Sequence, residues 1–411
     1  MSVLETRVRE LHVDVQGSLA GNLRRRSQYE FRYADESTLP VSLIMPAEDR
    51  EFRDNELFAV MDMNLPEGFL LAQIRERAPK AAPTKMQLLA LMGTNGIGWL
   101  EYQIPETASA PRARPVSRER LLREGAGAEG RVFAELVDAY LSTGSGLSGV
   151  QPKIMVPERA SVPVPNLIVK MGGARYPDIA ANEFFCLEVA RRADLPTASH
   201  ALSDDGALLV IDRFDLDEGG RRFGFEDIAA LLDLRVGGAL SDRKYRGSYQ
   251  DVAEVVTTFS SQAPEDLLQL FQMVALSVLL RNGDAHLKNF AMLYDNTRRW
   301  LAPAYDLVTT LAYPYERANG ERVLDRTMAL KLRRGDGSKE YPRVEDLCRF
   351  GEEVCGVKDA RSRMTRLRDA LEETLTQATH DTRLGSCLKG RPGRIWHETL
   401  DAWSRELKRL K

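Results

Sequence analysis

The hydrophobic positions of this chain switch period along its length, and that switch is the first guide to its organisation. "LHVDVQGSLAGNL" alternates apolar and polar residues around a glycine turn, which predicts a strand pair. "YEFRYA" and "PVSLIMP" read as further strands, whereas "ELFAVMDMNLPEGFLLAQIRERA" and "TKMQLLALMG" carry helical spacing punctuated by Pro66 and Gly93. After a stretch rich in Pro, Ala, Gly and Arg, "RVFAELVDAYL" reads as helix, "VQPKIMV" and "NLIVKMGG" as strands, "ANEFFCLEVARRADL" as helix and "GALLVIDRFDLD" again as strand. From about Phe225 the pattern turns mostly helical, through "YQDVAEVVTTF", "EDLLQLFQMVALSVLL" and "RSRMTRLRDALEETLTQATH". Strands first and helices afterwards predict an α+β layout with a sheet lobe and a helical lobe, and no internal repeat is visible. The expected divisions are residues 1–105, a linker over 106–130, a nucleotide-binding lobe over 131–224 and a helical lobe over 225–411.

Composition narrows the function classes. With 411 residues the chain exceeds one ordinary core. Its 43% apolar and 28% charged residues describe a globular chain rather than a disordered one. A net charge of −3 provides no bulk pull toward nucleic acid, and the "LRRR" run from Leu23 to Arg26 reads as a solvated hairpin edge. Apolar runs such as "MVALSVLL" are far short of the ~20 residues a membrane span needs. "MSVLETRVRE" lacks a basic-then-apolar signal, so a cytoplasmic location with no membrane partner is expected. Cys186, Cys348, Cys355 and Cys387 form no CxxC pair, which argues against structural zinc and a disulfide framework.

Chemistry concentrates in "LLRNGDAHLKNFAMLYD". Asp284 and Asn289 form D-x-x-x-x-N directly after an apolar helix, and Asp306 follows beyond the next apolar stretch in "WLAPAYDLVTT". In phosphoryl transfer one carboxylate accepts the proton of the attacking hydroxyl, while an amide oxygen and a second carboxylate hold magnesium against the phosphates. A strand lysine upstream must meet the nucleotide phosphates. Lys170 closes "NLIVK", with Glu183 in the following helix as a candidate ion-pair partner. Taken alone, Lys170 reads first as a strand-end lysine reaching solvent, and the catalytic-loop pattern downstream reverses that preference. "GSGLSG" (Gly144 to Gly149) matches G-x-G-x-x-G formally, but a helix precedes it and Pro152 follows. A phosphate-approaching loop with Lys153 nearby therefore suits it better than a dinucleotide fold. His286 has no second histidine or cysteine at ligand spacing, which favours a loop-orienting or phosphate role over zinc.

In order along the chain, "LPEGFLLAQIRERA", "QLLALMGTNGIGWLEY", "LSGVQPKIMV", "NLIVK", "NEFFCLEVAR", "LLVIDRFD", "RNGDAHLKNFAML" and "LAPAYDLVTT" resemble the HipA family of kinase toxins from bacterial type II toxin–antitoxin modules. The resemblance implies a protein-kinase-like two-lobed core with a β-rich N-terminal subdomain, and ATP–magnesium-dependent serine/threonine kinase activity. It implies Asp284 as catalytic base, Asn289 and Asp306 as magnesium ligands, and Lys170 at the ATP phosphates. Asp212, Arg213 and Phe214 would line the adenine hinge, with His286, Lys288 and Tyr305 beside the nucleotide. Ser148, Gly149, Val150, Gln151, Pro152 and Lys153 would form the phosphate-facing loop.

Family members phosphorylate aminoacyl-tRNA synthetases, which halts translation. They are restrained by a helix-turn-helix antitoxin of HipB type, through which alone operator DNA would be met. The chain departs from the family pattern at two places. Gly146 stands where a self-phosphorylated serine is usual, which shifts any such event to Ser145 or Ser148, and Asp212 replaces the more usual Glu. Two alternatives stand beside this reading: a small-molecule phosphotransferase of aminoglycoside-kinase type, and a catalytically silent antitoxin-bound co-repressor.

Overall fold

The computed structural model describes residues 3–37, 39–77, 82–94, 96–106, 115–127, 135, 153–159, 164–172, 176–316 and 320–409. The chain divides into two compact units, each assembled from separated segments. The first comprises 1–171, 210–244 and 293–298, and the second 172–209, 245–292 and 299–411.

The first unit opens with a meander of strands β1 (Glu10–Val15), β2 (Ser18–Arg25), β3 (Tyr29–Tyr33) and β4 (Glu51–Asp54), closed by β5 (Leu100–Gln103) in the antiparallel order β4-β3-β2-β1-β5. Alternation decides the faces: Leu11, Val13 and Val15 of β1 are buried and their neighbours less so. The register stacks Leu11 on Leu23, Leu23 on Phe31 and Phe31 on Phe52. Gln16 and Gly17, with φ of 51° and 78°, make the tight turn between β1 and β2, the conformation a two-residue hairpin requires. The helix Lys85–Met92 starts at a capping box formed by Thr84 and Gln87 and buries Met86, Leu88, Leu89 and Met92.

"PVSLIMP" forms no strand. Between Pro40 and Pro46 the chain bends, with only an isolated bridge between Ser42 and Met45. A side chain explains the bend: Ser42 donates its hydroxyl to buried Glu226 at 2.6 Å, and the Leu43 N–H reaches the same carboxyl at 2.7 Å. Tyr294 adds a third donor at 2.8 Å. Burial pushes the Glu226 carboxyl up to about 7 despite these three donors. Within the expected linker, Arg118–Glu124 is helical, capped by the Ser117 hydroxyl and stopped at Gly125, and it buries Leu121. The helix expected over 131–141 lies outside the described residues apart from Glu135.

Strands β6 (Lys153–Val156), β7 (Leu167–Met171), β8 (His200–Leu202) and β9 (Leu208–Asp212) make a second sheet in the order β6-β7-β9-β8. The stretch after Phe225 is less purely helical than its pattern predicts. It contributes β10 (Gly224–Asp227), β11 (Ala291–Tyr294) and β12 (Arg299–Leu301), paired in that order. These strands are short, and β10 and β11 are buried throughout, so neither shows the alternation that identifies a half-exposed strand.

The core of the second unit is built on the helix Ala263–Leu279, whose Leu270, Phe271, Val274, Ala275 and Leu276 are fully buried. Helices Tyr249–Phe259, Val344–Glu353, Ala360–Ala378 and Arg391–Arg409 pack beside it. Phe185, on the helix Ile179–Arg192, stacks on Trp396 with ring centroids 3.9 Å apart. The four cysteines are buried free thiols. No described helix is long and apolar enough to cross a membrane.

Candidate active site

In the second unit the helix Ala263–Leu279 ends where Arg281 enters the left-handed region (φ 56°) and the Asn282 N–H returns to the Ser277 carbonyl at 2.8 Å. The chain then turns sharply. The Asn282 side chain accepts from the Asp284 N–H at 3.0 Å, and the Gly283 N–H donates to Thr310 Oγ1 at 2.7 Å. Gly283 is required there, because a Cβ would lie 2.7 Å from the Thr327 carbonyl oxygen and 2.9 Å from Thr310 Oγ1.

A short 3-10 turn, Leu287–Asn289, follows. Asn289 Oδ1 accepts from the His286 N–H at 3.1 Å, and its Nδ2 faces Asp306 Oδ2 at 3.4 Å. The fold thus brings Asn289 and Asp306 side by side. Asp306 has φ 54°, a strained setting for a residue with a side chain. Tyr305 donates its hydroxyl to the Lys288 carbonyl at 2.8 Å, which ties the loop to the segment carrying Asp306.

Asp284 keeps about half of its side chain exposed, and His286 Nε2 lies 3.8 Å from its Oδ1. Tyr245 donates its hydroxyl to that same oxygen at 2.6 Å. Behind Asp306, Asn182 clamps Thr309 with both amide atoms, at 3.1 Å to the carbonyl and 3.0 Å from the N–H. Tyr245 stands in no motif, and although Asn182 opens "NEFFCLEVAR" and Thr310 closes "LAPAYDLVTT", nothing in those segments signals the distant partners they reach.

The remaining expected residues, Glu183 apart, belong to the first unit. Lys170 is buried on β7 and pairs in register with Lys153 on β6, so both lysines leave the same face of an antiparallel pair. Glu183, the candidate partner of Lys170, is fully buried on its helix in the second unit.

Of the adenine-hinge trio, Asp212 ends β9 and its carboxylate is engaged by Arg118, which also approaches Glu158 at 3.4 Å. The Arg213 guanidinium is completely buried. It grips Asp215 at 2.9 and 2.6 Å and donates to the carbonyls of Pro165 at 3.0 Å and Gly96 at 3.1 Å. Its side chain is therefore spent on the protein, and only its backbone is left to face a ligand. Phe214 lies half-buried, its ring tilted 6.2 Å from that of Phe225. Ser145, Ser148, Gly149, Val150, Gln151 and Pro152 lie outside the described residues.

Among the described residues no cluster of three or more His, Cys, Asp or Glu side chains could cage a metal. One carboxylate and one amide, those of Asp306 and Asn289, are instead the sparse donor set that suits magnesium, which keeps several waters and takes phosphate oxygens. The Asn289 oxygen has a second lone pair beyond the one facing the His286 N–H.

Comparison with known proteins decides the family. Residues 11–103 match the model of the HipA N-terminal domain, and residues 145–380 match that of the HipA-like C-terminal domain. This chain belongs to the HipA family. A Sinorhizobium fredii protein named "Putative kinase Y4mE" is 26% identical over 404 residues, covering 91% of this HipA-family chain and 93% of the relative. A Haemophilus influenzae protein with the same kind of name is 26% identical over 186 residues, covering 42% of this chain and 54% of that one. Among solved structures, HipA in the Shewanella oneidensis complex of HipA, HipB and operator DNA aligns over 97% of both chains, with a TM-score of 0.69 at 17% identity. The HipA-family chain thus has the α+β architecture with a kinase-like core that its sequence predicts.

Proposed function

We propose that this HipA-family chain is an ATP- and magnesium-dependent serine/threonine protein kinase that inhibits growth as a toxin. Its acceptor would be a translation component of the aminoacyl-tRNA synthetase class. Its restraint would come from a HipB-like helix-turn-helix antitoxin, as HipA is seen with HipB and operator DNA in the Shewanella oneidensis complex. The observation that carries the reading is the pairing of Asn289 with Asp306 on a loop that also presents half-exposed Asp284.

Bound magnesium would offset the charge that builds on the phosphates. Asn289 and Asp306 would hold that ion, and Lys153 and Lys170 would meet the phosphates. Asp284 takes the proton of the attacking hydroxyl as the bond to phosphorus forms. His286 and the Tyr305–Lys288 hydrogen bond keep the loop in place around it.

The test supplies γ-labelled ATP to the wild type and to Asp284→Ala, first with purified synthetases and then with small alcohols as acceptors. Labelling of a synthetase by the wild type, reduced about 10²–10⁴-fold in the variant, is expected. Labelling of alcohols alone would favour a small-molecule phosphotransferase. Equal labelling by both proteins, or none by either, would overturn the kinase reading.

A further inference from the structure

The contact between Tyr245 and Asp284 belongs to neither the metal pair nor the nucleotide residues. Tyr245 closes the 3-10 helix Gly238–Tyr245, and its phenol donates to Asp284 Oδ1 at 2.6 Å, the length of a hydroxyl bonded to a charged carboxylate. The residue is held at two points. Its ring meets the His286 imidazole edge-on, with centroids 5.2 Å apart, and its backbone carbonyl accepts from Lys339 Nζ at 2.8 Å.

Four residues on, buried Tyr249 donates its hydroxyl to the Ala285 carbonyl at 2.9 Å, gripping the backbone next to the same aspartate. One short stretch therefore holds the catalytic loop twice, once by its main chain and once by the carboxylate itself. His286 Nε2 stands 3.8 Å from the oxygen that Tyr245 engages, so Asp284 has little freedom to rotate about its side-chain bonds.

We propose that Tyr245 is the positioning residue for the base of this kinase: its hydroxyl fixes Oδ1 and with it the orientation in which the carboxylate meets the substrate hydroxyl. The inference rests on Asp284 being that base. A general base works only within hydrogen-bond reach and in the right orientation, and a small misplacement costs one to two orders of magnitude.

The experiment compares Tyr245→Phe and Asp284→Asn with the wild-type full chain, using γ-labelled ATP, magnesium and dephosphorylated casein as acceptor. Phenylalanine keeps the ring against His286 and removes only the hydroxyl. The expected result is kcat reduced about tenfold with KM for ATP and thermal stability unchanged. A ring that matters only for packing would leave kcat at the wild-type level, and a hydroxyl that blocks the base would raise it. Either result overturns the proposal.

A second arm needs no acceptor and retains the phenol. 3-Fluorotyrosine placed at position 245 should show a fluorine resonance that shifts when Asp284→Asn is added, and an unmoved resonance would also overturn the proposal. If Asp284→Asn retains full transfer, the assignment of the base fails and this inference with it. If that variant is inactive while Tyr245→Phe is unaffected, only the role of Tyr245 fails.

Discussion

Two polar clusters of this chain use similar side chains to opposite ends. In the first unit, Arg213 and Asp215 form a completely buried pair in which the guanidinium meets Asp215, Pro165 and Gly96, and Asp215 accepts from the Gly98 N–H at 2.6 Å. Burial alone would raise the Asp215 carboxyl, but the charge and hydrogen bonds of Arg213 outweigh it and hold the group below the usual carboxylate range. In the second unit Asn289 meets Asp306 only at 3.4 Å, Asp306 sits at positive φ, and Asp284 stays half-exposed. The closed cluster spends its polar groups on the protein itself. The open one combines the short Tyr245–Asp284 bond with the longer Asn289–Asp306 contact, a left-handed backbone at Asp306 and a carboxylate half-exposed to water.

The strongest way to break this comparison is to halve the closed cluster. Arg213→Met leaves Asp215 buried without its counter-charge, and a loss of about 3–5 kcal/mol is expected in urea unfolding. Adding Asp215→Leu should recover most of that loss, because two apolar side chains replace the dry pair without an uncompensated charge. A single variant that loses under about 1 kcal/mol would show that the pair is not a structural rivet.

Sequence reading separates the two clusters only in part, and the reason is distance along the chain. Asp284, Asn289 and Asp306 are legible because one helix end, one turn and the two short strands β11 and β12 connect them, so their spacing encodes their proximity. The strand that carries Lys170 is legible for its apolar run. The roles of Tyr245 and Asn182 are not, since their partners lie 39 and 127 positions away and nothing local, not even the "NEFFCLEVAR" segment that Asn182 opens, points to them. Arg213 shows a different limit. Its family resemblance points toward the adenine hinge, yet two positions on stands Asp215, which leaves the same side of an extended chain. That i, i+2 pairing was available as a signal for a buried ion pair. "PVSLIMP" misleads because its apolar content resembles a strand, whereas its prolines and the Ser42–Glu226 hydrogen bond dictate a bend.

Glu226 sharpens the comparison from within the first unit, since it is a buried acid with three donors and, among the described residues, no ion-pair partner. Its folded pKa is raised from 4.5 to about 7, with burial the main cause and Asp227 adding to it. Its contribution to stability is thus complete below about 4.5 and declines as pH rises through about 7. Between pH 5 and pH 8 the wild type should lose about 2 kcal/mol from this group. Glu226→Gln should flatten that slope in urea midpoints measured across the range. An unchanged slope would place the pH dependence elsewhere.

The smallest effect is expected at Arg118, which pairs with Asp212 only three positions before Asp215. Its side chain is 26% exposed and that of Asp212 35%, so water screens a pair of the same chemical type as the one that is dry at Arg213. Arg118→Ala should cost at most about 1 kcal/mol, and the cost should shrink further in molar salt. The same substitution releases the carboxylate that the family resemblance places at the adenine hinge, so KM for ATP is the second measurement. A change in KM with stability held would give Asp212 a ligand-facing role, while a stability loss approaching that of Arg213→Met would show that burial is not what separates the two pairs.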